Sequence, residues 1–530
     1  MKNYLSKNLN QKHNVEVVSV SSLAKEQAKE VANVNFNSGS QMQKTILRLF
    51  FVFFFGSANI FAQVQVLDIN SYQELERFAR NVNNGYSYAN YWITLTADIG
   101  DPNNPFTEMI GNDDYYFEGQ FFGNGHRIYV DINSDNQYVG LFSQFGGTLL
   151  SDLIVAGSVT GGYHSEFVGG FAGVLLQTAE IHRNTNLADV TGHNPASTVG
   201  GITGAVFVGG GNFIDCVNNG TITGGKYVSG IVANVVANIL RIDVYSCRNA
   251  GTIQGIEEVE QYCISGIVGY GSNISMFHCV NIDKILSRNS DYAGGIVAYL
   301  VDAIQWNDYS ALNVNSGIVD GARTAVGGLV GWLENATISN SINTNWVEGT
   351  AQYSGAVVGF NRGAVNNCFF DNQMSILEGI GYGTGTGYAV GRPTVDMIGN
   401  NLGWPFTNIG LTTHPQLYPR QQLPQGWLPD HPIALLAAAP IYLQNDENVT
   451  DVRTNFYVSN WMSFPFPPQN LINIPYQWGS LSNGGIISIP LWNAGNNAIV
   501  NGRGQDTLRV WIDDPSQPVY YEKVIPVNVP

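Results

Sequence analysis

Positive charge is what this chain has least of. Only 24 Lys and Arg stand against 41 Asp and Glu, a formal charge of −17, and charged residues make up 12% of the chain. Such a surface repels nucleic acid and anionic lipid, so partners of those two kinds are not expected. Long apolar runs are also missing. The longest candidate, Leu49 to Phe55, is far below the about 20 residues of a membrane span, so no transmembrane segment is expected. There is no H-E-x-x-H zinc motif and no C-x-x-C, and the five cysteines have no histidine at matching spacing. With one exception, amphipathic helical periodicity is absent too, which removes the helical repeat families.

What is present is glycine, 60 residues of it, without the every-third-residue period of collagen. An apolar Gly step recurs eight times: Val139-Gly, Val168-Gly-Gly, Val199-Gly-Gly, Val228-Ser-Gly, Ile264-Ser-Gly, Ala293-Gly-Gly, Val326-Gly-Gly and Tyr353-Ser-Gly. Taking Gly140, Gly170, Gly201, Gly230, Gly266, Gly295, Gly328 and Gly355 as its centres gives spacings of 30, 31, 29, 36, 29, 33 and 27. A period in this range marks a stacked array, in which each unit buries its apolar face against its neighbours. The segments are rich in Val, Ile, Thr and Gly with turn pairs such as Asn219-Gly220, so the units are strands. The fold expected is all-β, a β-solenoid.

Downstream of the step a second position keeps phase: Cys216, Cys247, Cys279, Ser341 and Cys368. Stacked cysteines suit a buried ladder of small side chains; disulfides and metal binding are the competing readings. Cys263 lies outside this ladder and is the thiol to test for reactivity. Asn-rich turns such as Asn218-Asn-Gly and Arg248-Asn-Ala-Gly read as backbone-satisfying turn residues. Gly379 to Gly387 lacks the strand, helix and Lys context of a phosphate loop.

Ahead of the repeats, Ser71 and Glu74 form a capping-box pattern, with Leu75, Phe78, Ala79 and Val82 on one helical face. A helix there would cover the open end of a solenoid. Next comes Phe117-Glu-Gly-Gln-Phe-Phe-Gly-Asn-Gly-His-Arg-Ile128. This string resembles the F-x-G-x-F-x-G-N-G-H-x-I segment preceding GLUG-type repeats of bacterial surface proteins. The resemblance implies a right-handed parallel β-helix. Phe122 stands where that family commonly carries Asp, which argues against a working carboxylate there. His126 and Arg127 belong to a tight turn in this reading. The acidic loop Asn112-Asp-Asp-Tyr is a weak cation candidate without EF-hand spacing.

Met42 to Ala62 reads as a secretory signal: Lys44 and Arg48, the apolar run, then Ser57-Ala-Asn-Ile-Phe-Ala62 before Gln63. Its ending resembles that of exported proteins of the Bacteroidetes. The organisation expected is therefore 1–41, a polar extension upstream of the true start; 42–62, the signal; 63–138, the cap and first coils; 139–385, the repeat β-helix; 386–432, a closing segment and Pro-rich linker; and 433–530, a small Ig-like β-sandwich. The chain stops directly after a strand, which also fits truncation of a longer protein. Asp506-Thr-Leu508 resembles a Bacteroidetes O-glycosylation site.

Function is read from the outer face. Enzymes on β-helices need acids or bases clustered on adjacent coils. The acids here scatter in phase, and Asp215 with Asp243 comes nearest to a stacked pair. The leading reading is a non-enzymatic, exported protein, extracellular or on the outer cell surface, that needs no cofactor. It would bind a glycan, extracellular matrix or a protein partner, with an oligomeric state the sequence leaves open. Tyr163, Tyr227, Trp306, Tyr309, Trp332 and Trp346 are the candidate contacts, because aromatic rings bury much area on binding. A polysaccharide lyase or hydrolase is the alternative, and a passive spacer the second.

Overall fold

The computed structural model describes residues 64–403 apart from 208–210, 237–240, 257–259, 303–312, 349–350, 373, 376 and 398–400; beyond Gly403 it describes only the backbone of strands between Leu411 and Val529. Residues 1–62, Trp306, Tyr309 and most of the Pro-rich linker lie outside the described residues.

From Gln65 to Arg392 the chain winds into a parallel β-solenoid of about nine coils. A complete coil has four strand positions, illustrated by Phe167–Gly169, Ala172–Leu175, Ala179–His182 and Thr185–Gly192. The first positions stack into one eight-stranded sheet and the third into another, while the second and fourth join in a composite sheet of 22 strands. All ladders of the solenoid are parallel. Alternating Val, Ile, Leu and Phe side chains point inward and form one continuous core along the stack.

Helix Tyr72–Asn83 closes one end. Its buried face is Leu75, Phe78, Ala79 and Val82, as the periodicity requires, and the Phe78 ring sits 5.5 Å from Phe117 and 6.4 Å from Phe121. The capping box is only half formed: Ser71 makes no side-chain cap bond, and Glu74 instead accepts the Asn70 N–H at 2.8 Å. Asn124 (φ 52°) and Gly125 (φ 81°) form the tight turn of the Gly-Asn-Gly-His string, with His126 Nδ1 3.1 Å from Asp98.

Strand register corrects two of the repeat centres. Gly140 aligns with Gly169 and Gly200, and Gly355 with Gly327, one residue ahead of the column formed by Gly170, Gly201, Gly230, Gly266, Gly295 and Gly328. The places in that column above and below are Leu141 and Ala356. The cause is a second column, the fourth-strand asparagines Asn186, Asn218, Asn249, Asn281, Asn315 and Asn343. Each of the first five donates Nδ2–H to the next Oδ1 at 2.8 Å, and all six are at most 1% exposed. A Cβ on any of the six column glycines would lie 2.3 to 2.7 Å from the amide of the asparagine in its own coil, and 2.1 to 2.4 Å from the backbone carbonyl at the same position of the next coil. Real Cβ atoms do not tolerate that approach, so glycine is obligatory wherever the ladder runs. In the coils of Leu141 and Ala356 the asparagine position holds Val155 and Phe370, and a side chain fits.

The cysteine column is longer and more polar than its sequence suggests. Register extends it to Leu153, Asn184, Cys216, Cys247, Cys279, Asn313, Ser341 and Cys368. The thiols of Cys216, Cys247 and Cys279 donate to the carbonyls of Ile181, Phe213 and Val244 in the preceding coil, at 3.2, 3.4 and 3.4 Å. Asn184 and Asn313 use their amides the same way, toward Leu150 and Met276. Beyond Leu153 at the first rung the position therefore holds a side-chain donor, which Ser341 supplies to the Ser339 carbonyl of its own coil. The residues just before these rungs, including Asp152, Arg183, Asp215, Ser246, His278, Asn340 and Asn367, take positive φ to turn the corner. All five cysteines are free and buried.

Beyond the solenoid, Gly504–Ile512 pairs antiparallel with Tyr476–Ser480 and with Tyr521–Val529, and Ala434–Ala438 with Phe456–Asn460.

Candidate functional site

The same register that stacks the core also stacks what points outward. On the second strands it aligns Tyr270, Tyr299, Trp332, Phe360 and Tyr382. On the neighbouring first strands lie Tyr227, Tyr262, Tyr292 and Tyr353. Together these nine rings form a continuous ridge across six coils. Tyr299, Trp332 and Phe360 are nearly parallel, 15° between successive planes, with centroids 5.9 and 3.9 Å apart. Tyr292 meets Tyr262, Tyr299 and Trp332 edge-on, at 5.1, 5.0 and 5.4 Å. Phe360 is buried, Tyr382 is 58% exposed, and the other rings are half-buried.

Both faces of Trp332 are thus taken, by Tyr299 from the coil before and Phe360 from the coil after. Aromatic pairs of this kind are worth about 0.5–1.5 kcal/mol each beyond area burial, so the ridge fastens successive coils together. Along most of its length a ligand meets ring edges and phenol hydroxyls. The hydroxyls stay protonated: burial holds Tyr227 up at about 12 and pushes Tyr262, Tyr270, Tyr292 and Tyr299 above their ordinary value.

Charge is interleaved with the rings. Glu334 accepts from Tyr299 Oη at 2.7 Å and Trp332 Nε1 at 3.1 Å, and these bonds, aided by Arg362, hold its carboxyl below the usual range. The Arg362 guanidinium lies 5.6 Å over Trp332 and 5.2 Å over Phe360, and Lys226 Nζ lies 5.3 Å over Tyr227. Arg323 bridges Glu260 and Asp291 at 2.6 and 2.9 Å. The ridge is aromatic, polar at its edges and close to electrically balanced.

Of the contacts expected from sequence, Tyr227 and Trp332 belong to the ridge. Tyr163 does not; it stands 75% exposed on another loop, its ring 6.2 Å from His193. Trp346 is half-buried, with its backbone N–H bonded to Asn345 Oδ1, and it shares none of the ridge's ring contacts. Seven ridge residues were not singled out by sequence reasoning, although a signal existed. Counted from the step, an aromatic recurs at one phase in Ile-Val-Gly-Tyr270, Ile-Val-Ala-Tyr299, Leu-Val-Gly-Trp332 and Val-Val-Gly-Phe360.

The carboxylate pair of the enzymatic alternative does not form. Asp215 aligns with Ser246, and Asp243 with Asn212, so the two sit at different positions in their coils. Asp243 pairs with Arg241 at 2.8 Å, while burial pushes the Asp215 carboxyl up beside Arg183 and His182. Asp113 of the acidic loop accepts the backbone N–H groups of Gln137 and Tyr138. Burial raises the Cys263 thiol well above its ordinary value, which disfavours the reactive thiolate.

Elsewhere Asp320 and Glu348 stack on neighbouring coils with Arg288, whose Nε is 3.1 Å from Asp320. A hydrogen bond between the two carboxyls, with burial and mutual repulsion, lifts Glu348 to about 7.

Three comparisons with known proteins complete this description. Residues 322–348 match the GLUG motif, the stretch from Ala322 through Trp332 to Glu348. Among curated proteins nothing matches. A solved structure from Bacteroides ovatus, provisionally described as an immunoglobulin A1 protease, is similar at 17% identity and a TM-score of 0.35, over 68% of this chain and 92% of that one. The chain is thus a β-solenoid that carries a GLUG motif within its repeats.

Proposed function

We propose that this protein is a non-catalytic, exported binding scaffold, displayed on or released from a bacterial surface, that engages a glycan through its aromatic ridge. One observation carries the reading: a ridge of nine rings from six coils, eight of them reaching the surface over the buried Phe360, is laced with hydroxyls, Glu334 and Arg362. Rings provide contact area at low entropic cost, and hydroxyls and a carboxylate provide directional hydrogen bonds for a polyhydroxylated ligand. The signal-like segment 42–62 supports export. The antiparallel pairing of strands after Ala434 supports an Ig-like module following the solenoid.

The test is a screen of the purified chain on glycan and matrix arrays, beside Tyr382→Ala. That ring is exposed, so its loss leaves the solenoid folded. Binding that weakens at least threefold in the variant is expected. A uniformly null array, or release of reducing ends from a bound polysaccharide, would sink the reading.

A further inference from the structure

We infer that the ridge is an axial track for a linear, neutral polysaccharide, lying along the rod with about one sugar unit per coil. This rests on the glycan reading above and goes further, since it fixes the shape, direction and charge of the ligand. The first argument is periodicity. Tyr270, Tyr299, Trp332, Phe360 and Tyr382 are register partners, so their contacts repeat at the strand spacing of about 4.8 Å. A ligand that uses several coils at once must be straight and must repeat at a similar interval. An extended peptide advances about 3.3 Å per residue, with side chains on one face every about 6.6 Å, and falls out of phase within two coils. Chains of linked pyranose rings advance by close to one coil per unit.

The second argument is what the surface presents. Because Trp332 is covered on both faces, a ligand cannot rely on stacking along the track and must bond to edges: the Tyr262, Tyr292 and Tyr299 hydroxyls, Glu334 and Arg362. A ring face is open at the end of the column at Tyr382, whose other side lies against Tyr353 at 5.3 Å. Ring faces at the two ends of the column, at Tyr270 beside Asn234 and at Tyr382, add apolar contact, and a hydroxyl-rich chain with apolar C–H flanks matches this mixture. The third argument is charge. Glu334, Glu260 and Asp291 offset Arg362, Arg323 and Lys226 locally, and the chain as a whole stands at −17. A polyanionic glycan gains nothing here, whereas a neutral one incurs no repulsion. From the coil of Tyr227 to that of Tyr382 there are five spacings, about 24 Å, room for about six units.

The experiment is calorimetric titration of the purified chain with linear neutral β-1,4-linked gluco-, manno- and xylo-oligosaccharides of two to eight units. In a series that binds, affinity should rise about threefold or more per added unit and level off near six units. Tyr382→Ala should move the plateau about one unit shorter. Trp92→Ala, an exposed ring on the sheet of third strands, should leave the series unchanged. Affinity that saturates at one or two units, binding restricted to branched glycans or to acidic ones such as oligogalacturonate, or a plateau that ignores Tyr382→Ala overturns the track while glycan binding itself stands. No binding in any series together with a null array overturns both.

Discussion

Glu348 shows how one residue's environment sets a solution property. Its folded carboxyl titrates near 7 because its protonated form hydrogen-bonds to Asp320 and burial disfavours its charge, against about 4.5 when unfolded. Below pH 4.5 both states hold the proton and nothing is lost. Between 4.5 and 7 the unfolded chain releases it first, and above 7 the folded protein holds two carboxylates side by side. Its contribution to stability is therefore whole at low pH and lost as pH rises through 7. Glu348→Gln keeps the hydrogen bond to Asp320 without the charge. The variant should gain about 1 kcal/mol at pH 8, after screening at a partly exposed site, and nothing at pH 4. Thermal unfolding at the two pH values decides it, and an equal shift at both would contradict a raised Glu348 carboxyl.

The asparagine ladder and the glycine column behave as one element. Asn281 receives Nδ2–H from Asn249 and gives its own to Asn315 Oδ1 and the Asp283 carbonyl. Asn281→Ala strips those partners inside a buried core and should cost about 2–4 kcal/mol. Gly266→Ala should cost at least as much, since the new Cβ meets Asn281 at 2.6 Å and the Gly295 carbonyl at 2.3 Å. If the two columns are coupled as Leu141 and Ala356 indicate, the double variant should be at least 1 kcal/mol more stable than the sum of the singles in denaturant unfolding. Strict additivity would show that glycine is required there by the backbone alone. These residues also mark how far the sequence could be read. The step was visible because glycine is the only residue that fits. The phase at Gly140 and Gly355 was not, because a neighbouring glycine in the corner turn mimics it where the asparagine is missing. Asn184 and Asn313 stayed hidden in the cysteine column because the position selects a donor and not a residue type. Asp215 and Asp243 looked paired only because the stretch between the register pairs Val206–Val235 and Phe213–Val244 is two residues longer in the coil of Asp243. The ridge was hardest to see, since its members lie about thirty residues apart and only the register joins them.

On the scale of the whole solenoid, each coil touches only its neighbours, so stability is passed along the rod and the ends matter more than their size suggests. The cap is where this can be tested. Phe78 seals the core against Phe117 and Phe121, and without it the first coil would present apolar side chains and an open strand edge to water. Phe78→Ser should cost about 3–5 kcal/mol locally, by analogy with large-to-small core substitutions. In a quasi-one-dimensional stack that loss stays near the end where it is made. Hydrogen exchange should then quicken in Val66–Leu95 and the coil of Phe117, fade toward Val174, and be unchanged around Val330–Phe360, where the aromatic ridge fastens the coils. Melting should split into an early N-terminal phase and a later one, with glycan binding preserved between them. A uniform loss of protection from Val66 to Phe360 would instead mean that the single core spanning the coils unfolds as one cooperative unit, and that the cap stabilises the binding face directly.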